Sequence, residues 1–214
     1  MSQRKRRRYY PPTPPRTKDV PTRTLIFHKP YRVMSSFTDA EGRPTVGDYV
    51  DVPDVYAAGR LDYDSEGLLL LTSDGNLAHR ITHPRFKLEK VYLVQVENVP
   101  ENATLEQLRQ GVIVKDKRTR PAKAELLSLA PQVFPRQPPI RERQSIPTTW
   151  LKITLREGRK RQVRRMTAAV GHPTLRLIRI AIGPINLDDL YPGQWRDLTS
   201  AELKNLHQSL FNPK

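Results

Sequence analysis

Three carboxylates fall within five residues at Asp62, Asp64 and Glu66, inside the stretch GRLDYDSEGLLLLTSDG that runs from Gly59 to Gly75. A carboxylate set in a turn between glycines can serve as a nucleophile, as a general base or as a fixed charge beside a developing cation. A second cluster, GRKRQVRRM from Gly158 to Met166, supplies the opposite charge. At helical spacing Arg159, Val163, Met166 and Val170 share one stripe, Arg161 and Arg165 lie opposite, and Arg164 falls at the edge. A guanidinium at such an edge can be half-desolvated, and a fork onto a carboxylate is its strong geometry. Asp62 is the partner assigned to Arg164, although spacing alone leaves Asp64 and Glu66 in competition. Each residue taken singly also has a plainer use. An aspartate beside glycine is usually a turn former, Arg164 a phosphate contact or a solvated charge, and Tyr92 on a strand a core residue.

Composition narrows what these groups can act on. Without cysteine there is no disulfide, thiolate catalysis or Cys-ligated zinc, and five histidines do not suggest a metal centre, so no metal is expected. The net charge of +15 calls for a polyanionic partner, because each phosphate neutralised releases condensed counterions. Residues 1–18, MSQRKRRRYYPPTPPRTK, hold seven basic residues and no acid, leaving +8 on the rest. They read as a flexible arm. No apolar run reaches the ~20 residues of a membrane span, and neither a signal peptide nor a membrane-surface helix is evident. A cytoplasmic protein that binds RNA or DNA is the expectation.

The elements that must hold the two clusters follow from periodicity. Strands are predicted at 24–27, 55–58, 68–72, 90–96, 150–155 and 175–182, and residues 112–129 read as strand, charged turn and strand. The leucine run before Thr72 suits a central strand covered on both faces. Helices are predicted at 44–50, 76–82, 104–110 and 159–170, with a C-terminal helix announced by Thr199 and Glu202 at capping-box spacing. Residues 131–147, with five prolines, read as an exposed insertion. Strands and helices mix without a strict βαβ rhythm, which predicts an α+β fold.

The segment from Gly59 to Gly75, with Lys90-Val91-Tyr92 and Gly158–Met166 following in order, resembles the three signature motifs of the pseudouridine synthases of the small-subunit ribosomal synthase A family. The likeness runs over roughly residues 22–200. It implies a central, mostly antiparallel mixed sheet with flanking helices, and a catalytic domain over 19–214 whose two subdomains enclose one cleft. Many members carry an N-terminal RNA-binding domain like that of a ribosomal protein, and none is expected here before Thr22; with the Pro-rich insertion, this brings the likeness closest to a large-subunit member. Carried over, Asp62 is the essential carboxylate and Arg164 its salt-bridge partner. Tyr92 stacks on the target uracil, and Arg60 fills the gap left by the extruded nucleotide. Lys90, Arg159, Lys160, Arg161 and Arg165 are implied RNA contacts. The implied substrate is a uridine in a loop or partly opened region of large-subunit ribosomal RNA, turned over by a monomer without cofactor. A glycosidase-like hydrolase, which needs a second carboxylate across the scissile bond, and a non-catalytic ribosome-assembly protein are the competing readings.

Overall fold

The computed structural model describes residues 21–86, 88–140 and 145–211; the proposed arm at 1–18 lies outside them. In chain order the strands are β1 (Thr24–Lys29), β2 (Tyr56–Ala57), β3 (Glu66–Thr72), β4 (Lys90–Glu97), β5 (Ile113–Val114), β6 (Lys117–Arg118), β7 (Lys123–Leu126), β8 (Thr148–Leu155), β9 (Thr174–Ile182), β10 (Ile185–Asn186) and β11 (Trp195–Asp197). The helices are α1 (Gly75–Thr82), α2 (Asn102–Gln110), α3 (Gln162–Ala169) and α4 (Ser200–Phe211).

Nine strands form one mixed sheet with the path β11-β1-β3-β9-β4-β8-β7, to which β2 and β10 attach through β3 and β9. The β3–β9 contact is parallel and the other pairings in the sheet are antiparallel. β3 is buried along its whole length, and the alternation of a strand accounts for it. Leu68 and Leu70 join the core beneath α1 and α4, whereas Leu69 and Leu71 meet Val46, Val50 and Val55 on the opposite face. A third core packs α2 and α3 on β4 and β8 through Leu105, Leu108, Val163 and Met166.

Local chemistry places the ends. Asp74 caps α1, its Oδ1 accepting from the amides of Asn76 at 2.9 Å and Leu77 at 3.1 Å. The capping box predicted for α4 forms: the Thr199 amide donates to Glu202 at 2.7 Å, and the Glu202 amide donates to the Thr199 hydroxyl at 3.2 Å.

Four segments depart from expectation. Only a single 3₁₀ turn, Val46–Asp48, forms within 44–50, because Asp48 folds back to accept from the Thr45 amide at 2.7 Å and closes the turn. Positive φ at both Lys115 and Asp116 makes a tight hairpin of β5 and β6, so β7 extends the main sheet beside β8 instead. The basic helix begins at Gln162 and not at Arg159, because Arg161 sits in the left-handed region at φ 54°. Within the proposed insertion, Phe134 packs on Tyr191 with centroids 4.5 Å apart, and its carbonyl accepts from Arg176. That anchor makes the described part of the segment less exposed than its prolines suggest.

Candidate active site

The Gly59–Ser65 turn leads directly into β3 and is fastened from several sides. The Ser35 hydroxyl donates to the Leu61 carbonyl at 2.8 Å and accepts from the Leu61 amide at 3.1 Å. The Ser65 amide donates to the Asp62 carbonyl at 3.0 Å and the Arg32 amide to that of Tyr63 at 2.9 Å. Gly59 has φ 88°, a value that favours glycine. Asp62 is thus held one residue beyond a doubly clamped leucine, at the wall of a cleft of about 550 Å³.

The three acids that spacing left in competition have distinct fates. Glu66 is buried and forked by Arg176 at 2.9 and 2.8 Å. Asp64 is forked by Arg161 at 2.7 and 2.8 Å and approached by Nε of Arg164 at 3.3 Å. That nitrogen lies outside hydrogen-bonding geometry, so its contact is purely ionic. Burial alone would raise the Asp64 pKa, but the Arg161 hydrogen bonds and the charges of Arg164 and Arg161 hold it below the ordinary value. Asp62 lines the cleft, and its carboxylate has no hydrogen-bond or ion-pair partner among the described residues.

The expected Arg164–Asp62 pair is therefore corrected: Arg164 grips Asp64, donates to the Asp64 carbonyl and reaches the Thr174 carbonyl at 3.1 Å. The helix starts three residues late, so Arg161 swings onto the segment as well and the two guanidiniums share one acid. Arg164 lies behind the turn and not in the cleft lining, and Arg165 is also outside it.

Six of the other residues named from the resemblance share one cavity. Arg60, Lys90, Tyr92, Arg159, Lys160 and Arg161 all line the cleft with Asp62. Tyr92 is 8% exposed, packed with Leu61, Val163 and Leu177, so its ring is an apolar wall. Arg60 and Lys160 stand exposed at the rim. Glu157, also in the lining, is occupied by the Gln162 amide at 2.6 Å, the Arg120 backbone at 2.9 Å and Arg159 at 3.3 Å.

Spacing arguments missed two buried cations, Lys29 and Arg179, of which Arg179 lines the cleft beside the half-buried Lys90. Lys29 is wholly buried, donating to the carbonyls of Pro30 at 2.9 Å and Val33 at 2.8 Å. Burial lowers its pKa to about 7, against the pull of Glu66, Asp64 and Asp62. Lys90 is lowered to about 8 by burial and by the charge of Arg179. Arg179 is 3% exposed; its Nε donates to the Leu68 carbonyl at 2.8 Å, and one terminal nitrogen has no hydrogen-bond partner among the described residues. A signal was present: Lys29 and Arg179 are charges in strands rich in Leu and Ile, where a buried charge is costly unless it serves a purpose.

A carboxylate without a partner among the described residues, beside an apolar aromatic wall, near the buried Arg179 and half-buried Lys90 and rimmed by exposed basic side chains, can attack or deprotonate a sugar while the cations stabilise a departing anion. Comparison with known proteins agrees with this chemistry. Residues 23–169 match the family model described as RNA pseudouridylate synthase. The chain is 56% identical over 176 residues to the ribosomal large subunit pseudouridine synthase E of Vibrio parahaemolyticus, covering 82% of this chain and 74% of the relative. It is 54% identical over 174 residues to the protein of that name from Xanthomonas campestris, covering 80% and 93%. A crystal structure of a pseudouridylate synthase superposes with a TM-score of 0.74 at 33% identity, over 89% of this chain and 76% of that one.

Proposed function

The chain belongs to the RNA pseudouridylate synthase family, and from that premise we propose that it converts one uridine of large-subunit ribosomal RNA to pseudouridine, with Asp62 as the essential carboxylate. The observation that carries this reading is the sorting of the three acids: Glu66 and Asp64 are each held by arginine, and Asp62 faces the cleft with no partner for its carboxylate among the described residues. The relatives above half identity bear a large-subunit name, which supports the choice of RNA. The enzyme acts as a cytoplasmic monomer on a uridine in a loop or partly opened region.

The reaction breaks N1–C1′, turns the uracil and joins C5 to C1′, with loss of the C5 proton and protonation of N1. No electrons or groups are gained or lost, so no cofactor is required. The target nucleotide must leave its stack, which costs a few kcal/mol and favours weakly paired RNA. Arg60 at the rim takes the vacated place, and Tyr92 receives the face of the uracil. Asp62 then either attacks C1′ or removes the C2′ proton. Both routes release uracil as an anion, which Lys90 and Arg179 stabilise through fixed, desolvated charge. Arg161 and Arg164 work through Asp64, fixing the turn that aims Asp62. A hydrolase would need a second free carboxylate in the cleft, and Glu157 is already bound on three sides.

The test is to map pseudouridine in ribosomal RNA from a strain lacking the gene and after complementation. One large-subunit position should lose its modification, regain it with the wild-type chain and stay unmodified with Asp62→Asn. Unchanged RNA would refute the assignment, and modification restored by the Asn variant would refute the role of Asp62.

A further inference from the structure

Beyond the cleft, six planar side chains from α1, the turn after it and α4 touch in series. The ring of His83 lies 5.0 Å from that of His79, and Phe86 meets both, at 6.0 and 6.4 Å. The guanidinium of Arg80 sits 5.0 Å from the centroid of Phe86 and 3.8 Å from that of Phe211. Phe211 in turn stacks on His207, 5.3 Å away and within 10° of parallel. His79, His83 and Phe211 are exposed.

We infer that this series is a stacking track for single-stranded RNA that flanks the target uridine; the inference rests on the RNA substrate proposed above. Three observations select RNA over a protein partner. The track lies next to the cleft, whose lining includes Thr82, the residue before His83. It consists of rings and a guanidinium with no aliphatic or acidic member, flanked by exposed Arg85 and Lys204, and such surfaces accept any base face and attract phosphate. The acid of α4, Glu202, lies on the opposite side of the helix from His207 and Phe211 and is forked by Arg196 at 2.8 and 2.7 Å. A metal is a poorer occupant: His79 and His83 provide two ligands one helical turn apart, and no group of three or more metal-binding side chains occurs among the described residues.

The experiment uses two transcripts around the mapped uridine, a stem–loop alone and the same stem–loop with single-stranded extensions on both sides. It compares the full-length wild type with His79→Leu/His83→Leu and His79→Phe/His83→Phe, with melting temperature recorded for each. The extensions should lower the wild-type KM. The leucine variant should lose that benefit by roughly fivefold or more, as for loss of one stacked base, and the phenylalanine variant should keep it. 5-Bromouridine placed in the extensions should crosslink to peptides of α1 or α4. Equal benefit in the leucine variant, or crosslinks elsewhere only, overturns the track and leaves the series as a clasp between helices or a protein contact. Absence of pseudouridine from both transcripts with the wild type would instead refute the proposed reaction, while the crosslinks still judge the track.

Discussion

Two arginine–carboxylate networks stand a few residues apart in sequence and use the same forked geometry to different ends. Glu66–Arg176 lies within the sheet, its side chains 5% and 8% exposed; Asp64–Arg161 borders the cleft at 29% and 38%. In the buried pair, removal of either partner strands a charge in low dielectric. In the bordering pair water screens both charges, so little folding energy is at stake and the arrangement matters for where it holds the turn. Burial, and not bond geometry, separates a structural pair from a positioning one.

Asp62→Asn tests the residue that neither network occupies. Turnover should fall about 10²–10⁴-fold with an unchanged melting temperature, and activity within tenfold of wild type would return Asp64 to contention. For the buried pair, Glu66→Leu should cost about 3–5 kcal/mol in urea denaturation. Adding Arg176→Met should recover much of that loss; no recovery would mean that Glu66 acts through something other than this pair. At the cleft, Arg164→Lys keeps the charge but loses the fork that reaches both Asp64 and Thr174. Single-turnover rates should drop roughly ten- to a hundredfold, as for small misplacement of a reacting group, with RNA affinity less affected. Equal losses in rate and affinity would make Arg164 a binding residue. The smallest effect concerns Lys90. Since its pKa is lowered to about 8, it is a cation below that pH and loses charge as pH rises through it, so RNA affinity should weaken a few-fold between about pH 7 and pH 9. Lys90→Arg, which stays charged, should flatten this part of the profile.

Much of this was readable from sequence because it depends on local rules. The two-faced burial of β3, the Thr199 cap and the α+β class follow from alternation and capping, and the motif likeness named Asp62, Tyr92 and the rim cations, which line one cleft. The Arg164 pairing was missed because one left-handed residue, Arg161, delayed the helix and redirected two guanidiniums. Helical periodicity cannot anticipate such an interruption at a non-glycine residue. β10 and β11 escaped because strands of two or three residues have no period to detect. His79 and His83 do stand at His-x-x-x-His spacing, but the pairing with Phe86 and α4 that gives them meaning is tertiary.

Gly67 joins the two strands behind the site at close range. At φ 101° it pairs with Arg179 across the parallel seam, and a Cβ there would run into the Arg179 carbonyl. The strand that follows Asp62 and the strand that carries Arg179 are thus in backbone contact, with no slack for either to rock against the other. An incoming nucleotide must therefore be accommodated by the exposed side chains at the rim, Arg60 and Lys160, over a backbone that is held in place.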